Sequence, residues 1–234
     1  LIDALKAGVT PDKFPNFYVV TIDAAEIIKT LYDDPIVDKF GNKIKGIFTT
    51  VTHPKTLERA RQANIKVHWL HALFDLSEGK KSFNQISALM TRSKNHIRGL
   101  PAIQTGGNVG TASWFIGWKI LKCNQIILIG INHGWTEDDP LELIMSHGNS
   151  TNSIDIDQNH PNFQKLFPTI YNPDFDCNCI LDPVFQYYSN ALKEFIARSP
   201  KSVFTINATE GGSIFGERIT SMKFNEFLKK NNFY

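Results

Sequence analysis

The chain has 234 residues, of which 42% are hydrophobic, enough to bury one sizeable core. Its net charge is +2, with neither a dense basic patch to argue for nucleic acid nor an acidic, solvating tail. The longest apolar runs are strand-length, so no membrane span is expected, and no signal-peptide pattern is seen.

The chain opens inside an apolar helix, Leu1-Ile2-Asp3-Ala4-Leu5-Lys6-Ala7, which ends at Gly8. Doubly wound domains often place a first strand and a first phosphate loop ahead of such a helix, so both are expected upstream of Leu1. Short β-rich runs at 17–22, 46–50, 65–69, 125–130 and 203–206 predict strands. Helices are expected over 24–32, 54–64, 108–122, 183–198 and 222–229. Pro54 sits well at a helix start, and Val184, Tyr187, Tyr188, Leu192 and Phe195 carry helical apolar spacing. Alternation of this kind, with continuously apolar strands, predicts an α/β fold: a mostly parallel sheet with helices on both faces, in a single domain over 1–234.

Between 134 and 182 the composition turns to Asn, Asp, His and Pro. A polar segment of that length after a strand's carboxyl end reads as a lid-like insertion. The odd set Cys123, Cys177 and Cys179, with its cramped C-x-C pair, argues against a disulfide framework. It fits a reducing, cytoplasmic compartment. Cys177 and Cys179 read as ordinary loop cysteines, because no second pair completes a zinc site.

The richest stretch is Thr105-Gly106-Gly107-Asn108-Val109-Gly110, which feeds straight into a helix carrying Trp114, Phe115, Ile116 and Trp118. Glycines ahead of a helix let backbone N–H groups approach an anion, with the helix dipole behind them. The spacing is neither G-x-G-x-x-G nor G-K-[ST], so it is not a dinucleotide fingerprint or a P-loop. The same residues also read as a tight loop with Asn108 as the helix N-cap.

Ligands of parallel sheets bind outside the strands' carboxyl ends. Three loops lie there: Asp23 after the first strand, Gly130 with Asn132-His133-Gly134 after the fourth, and Asn207-Ala208-Thr209-Glu210-Gly211-Gly212 after the fifth. Thr105, Gly106, Gly107, Asn108, Gly130, Asn132, Asn207, Thr209, Gly211 and Gly212 are the nucleotide-binding candidates. Thr209 and Glu210 suit a ribose hydroxyl, a base edge or an acceptor hydroxyl; the alternative is a plain turn. His160, among Asp155, Asp157 and Asn159, reads either as a general acid or base or as a solvated loop histidine. Asp155 and Asp157 form a D-x-D pattern able to hold a divalent ion such as Mg²⁺, although Asp174 and Asp176 repeat the spacing. Asp23 is well placed to contact a ribose or position an acceptor. His133 stands where it can reach the site, and His53, His68, His71 and His96 default to structural roles.

Four pieces in order carry a family resemblance: Val20-Thr21-Ile22-Asp23, Thr105-Gly106-Gly107-Asn108-Val109 with the strand behind it, the Asn159-His160 segment with Phe163 and Tyr171, and Asn207-Ala208-Thr209-Glu210-Gly211-Gly212. With them the chain resembles the 6-hydroxymethylpterin diphosphokinase MptE-like family of Rossmann-like domains, which includes the motility-associated-factor glycosyltransferases. The resemblance implies a transferase. Its donor is a nucleotide-activated sugar of nonulosonic type, and its acceptor a small molecule or protein. The donor phosphate would be held by backbone amides, hydroxyls and a histidine, with no metal required. In those terms His160 assists departure of the phosphate, and Asp23 or Glu210 positions the acceptor.

Two departures bear on this. The family's early G-P-S-L-type turn has no counterpart after Leu1 and is expected upstream. The diphosphokinases' G-D-G-D-R-like turn is replaced by Gly106-Gly107-Asn108-Val109-Gly110. The alternative is a diphosphokinase-like phosphotransferase using ATP and Mg²⁺, with Asp155 and Asp157 as ligands. A third reading is a non-catalytic nucleotide-binding module.

Overall fold

The computed structural model describes residues 1–73, 83–95, 97–147, 157 and 159–231. The chain is mixed α/β and divides into two compact units, Leu1–Thr105 and Gly106–Tyr234. Each has its own parallel sheet.

The first unit runs α1 (Ile2–Lys6), β1 (Tyr18–Thr21), a 3₁₀ helix (Glu26–Tyr32), α2 (Pro35–Phe40), a short 3₁₀ turn (Gly41–Lys43), β2 (Lys45–Thr49), α3 (Pro54–Gln62), β3 (Lys66–Ala72), α4 (Phe83–Met90) and β4 (Ala102–Ile103). Its sheet has the order β1-β2-β3-β4, parallel throughout, with Val20 opposite Ile47 and Phe48 opposite Trp69. Local chemistry sets the helix starts. Pro35 and Pro54 occupy the first helical turn, where the missing N–H costs nothing. Asp34 accepts from the Ile36 amide, and His53 Nδ1 from the Lys55 amide. The core closes over Leu5, Tyr32, Val37, Phe40, Ile44, Phe48, Ala60, Ala63 and Ile65. The segment expected to be an α-helix over 24–32 is a 3₁₀ helix that starts only at Glu26. Asp23 claims the Ala25 amide for a local turn, which delays helix entry.

The second unit comprises α5 (Val109–Lys119), β5 (Gln125–Leu128), α6 (Leu141–Ser146), α7 (Phe163–Leu166), β6 (Thr169–Asn172), β7 (Cys177–Ile180), α8 (Pro183–Arg198), β8 (Phe204–Asn207), β9 (Ile219–Ser221) and α9 (Phe224–Lys230). Its parallel sheet has the order β5-β8-β9. α5 is fixed on that sheet by Trp114, which is fully buried and donates its indole N–H to Thr205 Oγ1 at 3.0 Å. Trp118, Phe115 and Phe195 extend the aromatic contact towards α8. Burying a large aromatic in this way contributes about 2–3 kcal/mol.

Within the polar segment 134–182, β6 and β7 form an antiparallel hairpin, and the ends of the segment are tied by an antiparallel bridge between Trp135 and Ile180. Cys177 and Cys179 therefore sit on a strand rather than in a loop. All three cysteines are free, and burial pushes the Cys179 thiol up to about 11. No helix among the described residues is long and apolar enough to cross a membrane.

Candidate functional site

Three loops of the second unit meet at the carboxyl ends of β5 and β8. The glycine turn comes first. Asn108 is the N-cap of α5, its Oδ1 accepting from the Thr111 amide at 2.8 Å while Nδ2 donates to Thr111 Oγ1 and Gly106 O. The N-cap reading of Asn108 thus holds. With the Thr111 amide taken by the cap, the Val109 and Gly110 amides are the first-turn N–H groups of α5 with no intrahelical partner. Gly107 has φ +84°, and a Cβ there would stand 2.6 Å from the Tyr188 ring and 2.7 Å from the Tyr187 ring. Only glycine fits between the turn and those tyrosines.

The loop after β5 is the second wall. The strand ends at Leu128, two residues before Gly130, which turns at φ +71° with open space where a Cβ would be. Asn132 is exposed, and His133 is buried at φ +43°. His133 Nε2 lies 3.3 Å from Asn108 Oδ1. An amide oxygen only accepts, so Nε2 carries the proton and Nδ1 holds the lone pair. Nδ1 is buried without a hydrogen-bond partner among the described residues. Burial lowers the imidazole to about 4, which keeps it neutral.

The loop after β8 is the third wall and is stitched to the second. Thr209 Oγ1 accepts from the Ile131 amide at 3.2 Å, and Asn207, fully buried, bonds the Thr209 amide and Ile214 O. Ser213 donates its amide to Asn132 O at 2.8 Å and its hydroxyl to His133 O at 2.7 Å. Gly212 has φ +76°, and a Cβ there would lie 2.3 Å from Asn132 O. Gly211 follows Glu210, whose carboxylate accepts from the Phe224 amide at the start of α9.

The loops therefore bring together Gly106, Gly107, Asn108, Gly130, Asn132, Asn207, Thr209, Gly211 and Gly212. Thr105 ends the first unit, and Asp23 belongs to that unit, where it is exposed and engaged in its own turn. His160 is exposed, and all its hydrogen bonds among the described residues stay within its own turn, including Nδ1 accepting from the Asn162 amide. Asp157 is exposed, with Oδ1 accepting from the backbone and side chain of Asn159. Asp155 lies outside the described residues, as does His96. Among the described residues no group of three or more His, Cys, Asp or Glu side chains is arranged to hold a metal.

One constellation was not singled out from the sequence. Asp182, buried at the N-terminus of α8, accepts four hydrogen bonds. Oδ1 takes the Val184 and Phe185 amides, and Oδ2 takes Trp135 Nε1 at 2.5 Å and His147 Nδ1 at 2.6 Å. His147 packs on Phe185 with ring centroids 4.3 Å apart, and the other neighbours of Phe185 include His133 at 6.2 Å. An Asp directly before Pro183 and an apolar-spaced helix is a helix-start signal that marks Asp182 as a cap. Nothing local pairs it with His147. Comparison with protein-family models, with curated proteins and with solved structures gives no match to this chain, so its site is read from its own geometry.

Proposed function

We propose that the second unit binds the phosphate of a nucleotide and that the protein is a nucleotide-dependent transferase, a glycosyltransferase with a nucleotide-activated sugar as donor. The fold is read as Rossmann-like. The observation that supports this is the convergence of the loops after β5 and β8 on the capped glycine turn of α5. The first-turn amides of an 11-residue helix, anchored by Trp114, suit an anion. The neutral groups around them, Asn132, Thr209 and Ser213, suit sugar and phosphate oxygens. Segment 134–182, with its ends tied at Trp135 and Ile180, is read as the lid. His160, on an exposed turn of that segment, is the group assigned to assist the departing phosphate.

Calorimetric titration with cytidine 5′-monophosphate, set against ATP with Mg²⁺, tests the reading. The expected result is binding of the monophosphate without metal. Asn108→Ala, which removes the cap and loosens the turn, should weaken it at least tenfold. Binding of ATP that requires Mg²⁺, with none of the monophosphate, would overturn the reading in favour of phosphotransfer.

A further inference from the structure

His147 and Asp182 pair an imidazole with a buried carboxylate at 2.6 Å. The Asp182 side chain is 2% exposed, and four donors hold it in one rotamer, so it presents Oδ2 in a fixed direction. A carboxylate oxygen accepts, so His147 donates from Nδ1; the tautomer this selects has its lone pair on Nε2. The His147 side chain is 25% exposed, and Nε2 has no hydrogen-bond partner among the described residues. Trp135 meets the imidazole edge-on at 5.2 Å, and Phe185 packs against it at 4.3 Å. Phe185 also packs against His133, which touches the Asn108 cap. A carboxylate-oriented imidazole with one open nitrogen thus stands one aromatic ring away from the group that contacts the anion-binding turn. A structural cap would need only Oδ1 of Asp182 and the amides of α8; the Oδ2–His147 bond adds nothing to capping.

We propose that His147, oriented by Asp182, takes the proton of the acceptor hydroxyl through Nε2. The proposal rests on the transferase reading above. In the step, the acceptor oxygen bonds to the anomeric carbon as its proton passes to His147 Nε2. The bond from that carbon to the donor phosphate oxygen breaks, and its electron pair leaves on the nucleotide phosphate, beside the first-turn amides of α5. Asp182 is a positioning residue: it fixes the tautomer and stabilises the imidazolium that forms.

Two measurements on the whole chain test this. The first needs no substrate. Imidazole ¹⁵N–¹H spectra of ¹⁵N-histidine protein should show a ring protonated at Nδ1 with a strongly downfield proton. That signal should be absent in His147→Gln, altered in Asp182→Asn and retained in His160→Ala. A His147 ring protonated at Nε2 overturns the proposal whatever the reaction. The second follows release of cytidine 5′-monophosphate from its N-acetylneuraminic acid conjugate, with water as acceptor. His147→Gln should lower kcat by about 10²–10⁴-fold with KM little changed, and added imidazole should restore part of the rate to His147→Ala. Wild-type turnover matched by His147→Gln overturns the role of His147 and leaves the donor reading standing. No release by the wild type overturns both, while the spectra still report the pair.

Discussion

The two units build the same kind of parallel sheet and finish its strand ends differently. In the first, threonines knit the ends together. Thr52 donates to Thr21 O, Thr49 to Ile22 O, and Thr21 shares a 2.5 Å hydrogen bond with a buried Tyr32 hydroxyl that burial raises to about 12. Its surface is held by ion pairs, with Arg59 spanning Asp33 and Asp38, and Lys55 meeting Glu26. In the second, the ends are finished by glycines at positive φ, neutral amides and imidazoles. Side-chain hydroxyls close a strand end; glycine and a capped helix leave backbone N–H groups facing outward, which is what an anionic ligand requires. Ion pairs tolerate small shifts of either partner, whereas a backbone seated against a carbonyl tolerates none.

The largest expected effect breaks the second unit at its tightest contact. Gly212→Ala places a Cβ 2.3 Å from Asn132 O at φ +76°, and the backbone of both loops must move. A loss of about 3 kcal/mol is expected, a fall in Tm of roughly 6–12 °C that salt leaves unchanged. Thermal denaturation at low and high salt reads both; an unaltered Tm would mean the loops are not interlocked.

The next effect is set by pH. The folded His133 sits at about 4 and the unfolded histidine at 6.5. Between those values the unfolded chain binds the proton and the folded chain does not. This contribution to stability is therefore complete above 6.5 and is lost as pH falls towards 4. By about pH 5 the loss is on the order of 2 kcal/mol. Urea unfolding at about pH 7 and pH 5 should show it in the wild type and much less in His133→Gln. Equal losses would show that burial of this ring carries no linkage.

The smallest effect belongs to the first unit. Arg59→Ala removes two partly exposed ion pairs and should cost about 1 kcal/mol, shrinking in high salt. Salt-independent loss would assign Arg59 to packing by its stem rather than to charge.

What was legible in the sequence follows the same division. β1, β2, β3, β5 and β8 carry dense apolar and β-branched runs, and α8 announces itself by its apolar spacing. β4 and β9 have two and three residues, too short for a periodic signal, and exist because a neighbouring strand offers an edge. The β6–β7 hairpin consists of two four-residue strands, Thr169–Asn172 and Cys177–Ile180, set in a segment rich in Asn, Asp and Pro. The strand formers Thr169, Ile170 and Tyr171 therefore make too short a run to stand out, and pairing completes the hairpin. In the site, the glycine turn and the loop after β8 are visible because turn residues at strand ends have local meaning. The His147–Asp182 pair is not, since its partners lie 35 residues apart and meet only once the segment's ends are tied.

The stitch between Asn132 and Ser213 also dictates an order of assembly. Its donor and acceptor are 81 residues apart, so the loop after β5 waits for β8 before it acquires its partners. During synthesis, a chain still short of β8 carries α5 and β5 but not the loop that Asn132 and Ile131 bond to. The cluster of loops at these strand ends is therefore completed only once β8 has been made, and a cut ahead of β8 removes it.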